Sequence, residues 1–263
     1  ARYDGVRLTT PGNHEAGGES LAMLNRTDLV KAIDHTVLRP DATLDDVLRA
    51  CDEAEQYHFA SVVVHPYWVP HVERRLANSE VKVGTVVGFP LGATTTRVKV
   101  YEMRTVVAMG AQEVQAVINI SALKSGDMTR FRRDIEEVLF ASHLTGLTQE
   151  AQTTLTQFVL ETAYLTEREI VLVCELVREI GGEFVVTSTG YAPGGASTND
   201  LRLIRQAIGA NMGVKAVGGI RTLDFALDLL NAGANRIGLS ASVPIVEEFI
   251  AREEKVPVGS RRR

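Results

Sequence analysis

The chain has 263 residues, of which 45% are hydrophobic and 23% charged, and its net charge is −5. That suffices for one large domain with a sizeable core, and barrels of parallel strands and helices run to about 250 residues as a single domain. The acidic balance speaks against a nucleic-acid surface, no run of about 18 apolar residues offers a membrane span, and two cysteines, Cys51 and Cys174, are too few for a disulfide framework.

Residues 1–25 contain Pro11, Gly12, Gly17 and Gly18 and little hydrophobic periodicity, so they read as a tail or an arm. The first 20 residues are polar and Gly-rich, so no secretory signal is expected, and a soluble cytoplasmic protein is the default. The segment 26–250 reads as the single folded domain, and 251–263 as a C-terminal tail ending in Arg261-Arg262-Arg263.

Within 26–250, short runs rich in β-branched residues alternate with amphipathic ones. A strand fits Lys31–Thr36, preceded by a helical stretch. Then come a helix over Leu44–Tyr57, a strand over Ser61–Val64, a helix over Pro70–Ala77, a strand over Lys82–Val87 and a helix over Arg97–Met109. The alternation continues with strand Glu113–Asn119, helix Met128–Ala141, strand Thr156–Glu161, helix Glu167–Ile180, strand Phe184–Thr187 and helix Thr198–Ile208. It closes with strand Val214–Val217, helix Leu223–Ala232 and strand Arg236–Gly238. Asp41, Thr43, Thr198 and Thr222 lie at or beside helix starts, and Gly110, Gly181 and Gly233 follow helix ends. Eight such strands predict an α/β fold, a single-domain (β/α)8 TIM barrel. An open doubly wound sheet shares the periodicity.

In a barrel the site lies at the C-terminal strand ends. That places Asp34, His65, Phe89, Gln115, Asn119, Glu161, Val186, Thr187, Lys215 and Ser240 at or just inside one mouth. Val217-Gly218-Gly219-Ile220-Arg221-Thr222 and Gly238-Leu239-Ser240-Ala241-Ser242 each follow a strand and open a helix, a pattern suited to phosphate. Thr189-Gly190-Tyr191-Ala192-Pro193-Gly194-Gly195 offers a third wall. The candidate phosphate-binding set is Thr187, Gly190, Gly218, Gly219, Gly238, Ser240 and Ala241. His35, His58, His65 and His71 show no metal-ligand spacing with acids or cysteines, so no metal and no cofactor is expected.

Several motifs stand in a fixed order: Asp34-His35-Thr36, Gly88-Phe89-Pro90-Leu91-Gly92-Ala93-Thr94-Thr95-Thr96, Val117-Ile118-Asn119-Ile120, Leu123-Lys124-Ser125-Gly126-Asp127, Leu160-Glu161-Thr162, Thr187-Ser188-Thr189-Gly190 and Val214-Lys215-Ala216-Val217-Gly218-Gly219-Ile220-Arg221-Thr222. Over roughly Asn25 to Glu248 they resemble deoxyribose-phosphate aldolases. The resemblance implies a (β/α)8 barrel, a small phosphorylated sugar or aldehyde as ligand, and reversible aldol cleavage through a lysine imine. In that chemistry a second lysine lowers the first one's pKa.

The departures are grouped. Val186 stands where the family pattern carries the imine lysine, Gln115 where it carries an aspartate, and Gln157 where it carries a further lysine. Lys215 and Asp34 are retained as candidate catalytic residues. Lys215 is expected to face Asp34 without a neighbouring cation, so that only burial would depress its pKa. The resulting expectation is a chain that binds a phosphorylated sugar but has lost ordinary retro-aldol cleavage. It would act as a binding or partner subunit, as a homo-oligomer or as a heteromer with an active paralogue. The alternative is a divergent lyase or isomerase in which Lys215, as imine former or acid–base group, acts with Asp34.

Overall fold

A computed structural model describes residues 24–144 and 154–255. The expected arm therefore lies outside the described residues except for its last two positions, as does the Arg261–Arg263 end.

Helix α1 (Arg26–Lys31) leads into β1 (Ile33–Val37). The chain then alternates through α2 (Leu44–Tyr57), β2 (Ser61–Val64), α3 (Val69–Leu76), β3 (Lys82–Val87), α4 (Thr96–Ala108) and β4 (Glu113–Val117). Next come α5 (Ile120–Lys124), α6 (Met128–Leu144), β5 (Leu155–Val159), α7 (Glu167–Ile180), β6 (Phe184–Val186) and α8 (Thr198–Ile208). The fold ends with β7 (Gly213–Val217), α9 (Leu223–Asn231), β8 (Arg236–Leu239) and α10 (Ser242–Lys255). All eight strands pair in parallel in sequence order, and β1 pairs with β8 through Ile33 opposite Ile237. That last pairing closes the sheet and removes the open-sheet alternative.

Local chemistry explains the helix limits. Thr43 and Thr166 each form a capping box, with Asp46 and Glu169 respectively, which satisfies backbone donors at the starts of α2 and α7. Thr222 caps α9, and Ser197, one residue before the expected Thr198, caps α8. Gly181 ends α7 in the left-handed region. Two strands are shorter than expected for the same kind of reason. Asn119 leaves β4 and caps α5 by accepting from the Ala122 N–H. Glu161 leaves β5 and turns into the left-handed region with φ of 55°. α10 continues to Lys255, past the boundary placed at residue 250.

Side chains alternate across each strand. Val62, Val64, Val114, Ala116, Val214 and Ala216 face the helices and join the main core. The opposite set points into the barrel. There Val117, Val159 and Val186 form one buried apolar cluster with Phe89 and Val217, and Leu38, Val63 and Val86 form a second that Phe89 also touches.

Candidate active site

The barrel interior also carries a chain of buried polar groups. Asp34 on β1 is fully buried and lies at its centre. Its Oδ1 accepts from Ser61 Oγ at 2.5 Å and from Arg236, whose Nε is 3.1 Å away and whose Nη2 is closer still. Its Oδ2 is 2.6 Å from Lys215 Nζ, a buried ion pair. Arg236 reaches on to Glu113, at 3.3 Å from Nη1 to Oε1 and 3.1 Å from Nη2 to Oε2. Gln157 Nε2 donates to Glu113 Oε2 at 3.1 Å. One network thus joins β1, β2, β4, β5, β7 and β8.

Lys215 is 1% exposed. Burial pushes its pKa down, Asp34 opposes this, and Arg236 pushes down further. Burial would raise the pKa of Asp34, but Arg236 and Lys215 overcome it and hold the carboxyl below its usual range. Glu113 shifts the other way, raised by burial and by the Asp34 charge against the pull of Arg236. The expectation that Lys215 has no neighbouring cation is therefore corrected. Arg236, from the adjacent strand, supplies one.

Val186 on β6 and Lys215 on β7 are Cα partners in the strand register. Both point into the barrel, so the position emptied of its amine lies beside one that keeps it. Gln115 and Gln157 are partners in the same sense on β4 and β5. Among the described residues the buried lysines are Lys99 and Lys215. Lys99 Nζ is held by Asp134 at 2.7 Å and by the Val117 carbonyl at 2.8 Å, tying α4 to α6 and to the end of β4.

The mouth is lined as expected by His65 and Phe89. Tyr191 joins them: its hydroxyl donates to the Leu38 carbonyl at 2.5 Å, and His65 Nε2 is 2.6 Å from the same oxygen. Phe89 meets Tyr191 and His65 edge-on, with ring centroids 5.4 and 5.8 Å apart. Glu161 accepts from the N–H and hydroxyl of Thr189, which fastens the loop after β6.

The candidate phosphate residues divide into two groups. Gly190, Gly218 and Gly219 have φ of 84°, 101° and 75°, and nothing lies within 4 Å of a Cβ built at Gly190 or Gly219. Gly218 is packed instead against Gly195, 2.9 Å from a Cβ built on it, while Gly219 and Ser240 are exposed just before the starts of α9 and α10. Thr187 and Gly238 have other partners. The Thr187 hydroxyl bonds to the carbonyl and N–H of Val217, at 3.2 and 3.0 Å. A Cβ at Gly238 would lie 2.8 Å from Lys215 Cε, so this glycine makes room for the lysine stem. Among the described residues no group of three or more His, Cys, Asp or Glu could hold a metal ion, and no helix is long and apolar enough to cross a membrane.

The family model for DeoC/LacD family aldolases matches residues 29–242. The chain belongs to that family. A deoxyribose-phosphate aldolase from Thermococcus gammatolerans is 50% identical over 84% of this chain and 96% of its own length. One from Thermoanaerobacter is 48% identical over 84% of this chain and 97% of its own length. The tetrameric deoxyribose phosphate aldolase from Aeropyrum pernix superposes with a TM-score of 0.79 at 29% identity, covering 89% of this chain and 96% of that one.

These relatives overturn the expectation that aldol cleavage is lost and that the chain is a mere binding or partner subunit. Aldolases about half identical over most of the family member's length point to a catalytic aldolase. The register shows that Val186 stands one strand away from the buried amine of Lys215. Arg236, Glu113 and Ser61 were missed by sequence reasoning: closure of β8 on β1 brings Arg236 to Asp34, Glu113 joins through Arg236 across the barrel, and Ser61 is the register partner of Asp34 on β2.

Proposed function

We propose that this family member is an aldolase acting on a small phosphorylated sugar of the deoxyribose-phosphate class, with Lys215 supplying the imine-forming amine. The observation that carries this reading is the position of Lys215 Nζ, 2.6 Å from Asp34 Oδ2 and adjacent in register to Val186.

The neutral amine adds to the substrate carbonyl, and loss of water gives an iminium. The bond between the α and β carbons then breaks, its electron pair flowing into the iminium to give an enamine. The β-hydroxyl gives its proton to the water released when the iminium formed, and that fragment leaves as an aldehyde. Protonation of the enamine carbon and hydrolysis of the imine release the second product and restore the amine. Burial favours the uncharged amine needed for the first step. Asp34, held ionised, faces the cation that the later steps create. Gln115 and Gln157 carry no charge, and Asp34 is the carboxylate in contact with the nitrogen. The open glycines Gly190 and Gly219, with Gly218, Ser240 and Ala241 beside the starts of α9 and α10, suit the phosphate. Because Lys215 is 1% exposed, a carbonyl reaches it only after the Phe89 and valine packing yields. Self-assembly of the chain is part of the same reading, since the Aeropyrum pernix relative is a tetramer.

The test is turnover of 2-deoxyribose 5-phosphate by the purified chain and by Lys215→Met. The reading expects measurable cleavage that disappears in the variant while the fold is retained. Equal turnover by both proteins would refute it.

A further inference from the structure

We infer that Arg236 is a positioning residue for Lys215: the two cations share one buried carboxylate, Arg236 on Oδ1 of Asp34 and Lys215 on Oδ2. Its catalytic meaning rests on the reading of Lys215 as the imine former.

Three observations carry the inference. First, Asp34 cannot give Lys215 its whole charge. Ser61 and Arg236 both occupy Oδ1, which leaves Oδ2 alone to face Lys215. A carboxylate already matched by a guanidinium stabilises a second cation less than a free one does. Second, Arg236 is fixed from its far side by Glu113 through two contacts of 3.1 and 3.3 Å, so it cannot swing away. Third, an arginine stays charged throughout the working pH range, whereas a lysine in this place would itself titrate. The groups facing Lys215 are thus Asp34 from β1, Arg236 from β8 and Glu113 from β4. Arg236 opposes the ammonium form, and the two carboxylates favour it. The family's ordinary arrangement uses two lysines on neighbouring strands. Here one lysine and one arginine, also on neighbouring strands, meet at Asp34, with Lys215 and Arg236 being Cα partners between β7 and β8.

The experiment is an NMR titration of the Lys215 Nζ and Cε resonances in lysine-labelled protein, assigned by their loss in Lys215→Met. In Arg236→Met the ionisation midpoint of Lys215 is expected to move up by about one pH unit, and in Arg236→Lys to move far less. Glu113→Gln, close to isosteric, is expected to move it down. If Arg236→Met does not fold, Arg236→Gln, which also removes the charge but keeps a polar side chain, is titrated in its place. A midpoint unchanged in a folded variant without the Arg236 charge would overturn the inference. This readout needs no imine. Failure to trap an imine at Lys215 would sink the catalytic reading and leave the pairing intact, while an unmoved midpoint would do the reverse.

Discussion

Val186 and Lys215 stand side by side, Cα partners on β6 and β7 with both side chains inside the barrel. The exchange of a lysine for a valine at one of them changes which strand can present an amine to a carbonyl. It does not remove the amine from the cavity. The valine has instead become part of an apolar cluster with Val117 and Val159, which makes the interior drier around Lys215. A drier site favours the neutral nitrogen.

Gly238→Ala tests the space around that nitrogen. The new methyl would sit 2.8 Å from Lys215 Cε and 2.9 Å from Val217 Cγ2. Such overpacking is expected to cost about 1–3 kcal/mol in urea unfolding and to displace Lys215 from Asp34. Turnover should fall more steeply than stability alone explains.

Asp34→Asn should be among the most damaging single changes in the barrel. It leaves Lys215 and Arg236 buried without the carboxylate they share. Breaking a buried pair from one side costs about 3–5 kcal/mol, measurable by denaturant unfolding. The pH dependence follows from the same residue. The folded-state pKa of Asp34 lies below its unfolded value, so its stabilising contribution is complete above roughly pH 4 and is lost as pH falls through the lower folded value. In Asp34→Asn the acid limb of the stability profile should therefore flatten.

Asp134→Asn provides a control of similar burial outside the barrel. Asp134 is bonded to Lys99 and Thr96, and neither touches Lys215. Unfolding should again become easier by about 3–5 kcal/mol, while the ionisation of Lys215 stays where it was.

Cys51 and Cys174 are buried, and burial pushes both thiols up to about 12. Neither should react with iodoacetamide at pH 8 in the folded protein, and both should react once it is unfolded. Mass spectrometry of alkylated samples checks this.

Much of the fold could be read from the chain because its local signals are strong. Strands Ser61–Val64 and Lys82–Val87 and helices Leu44–Tyr57, Glu167–Ile180 and Thr198–Ile208 have the limits that periodicity and caps suggest. The ends of β4 and β5 ran long because Asn119 and Glu161 sit in apolar surroundings, although one caps a helix and the other adopts φ of 55°. Lys215 and Asp34 were recognisable as a pair. Arg236 was not, since it opens a strand 202 residues from Asp34 and only closure of the ring joins them. The reading of Val186 as the end of catalysis failed for a related reason. The retained Lys215 was legible in the sequence, but not that the register sets it directly beside Val186.

The most direct test is borohydride trapping with 2-deoxyribose 5-phosphate, followed by mass mapping of the labelled peptide. The account predicts a single reduced adduct on the peptide containing Lys215, absent in Lys215→Met. Cleavage of the sugar phosphate with no adduct there, or with the adduct on another lysine, would contradict it.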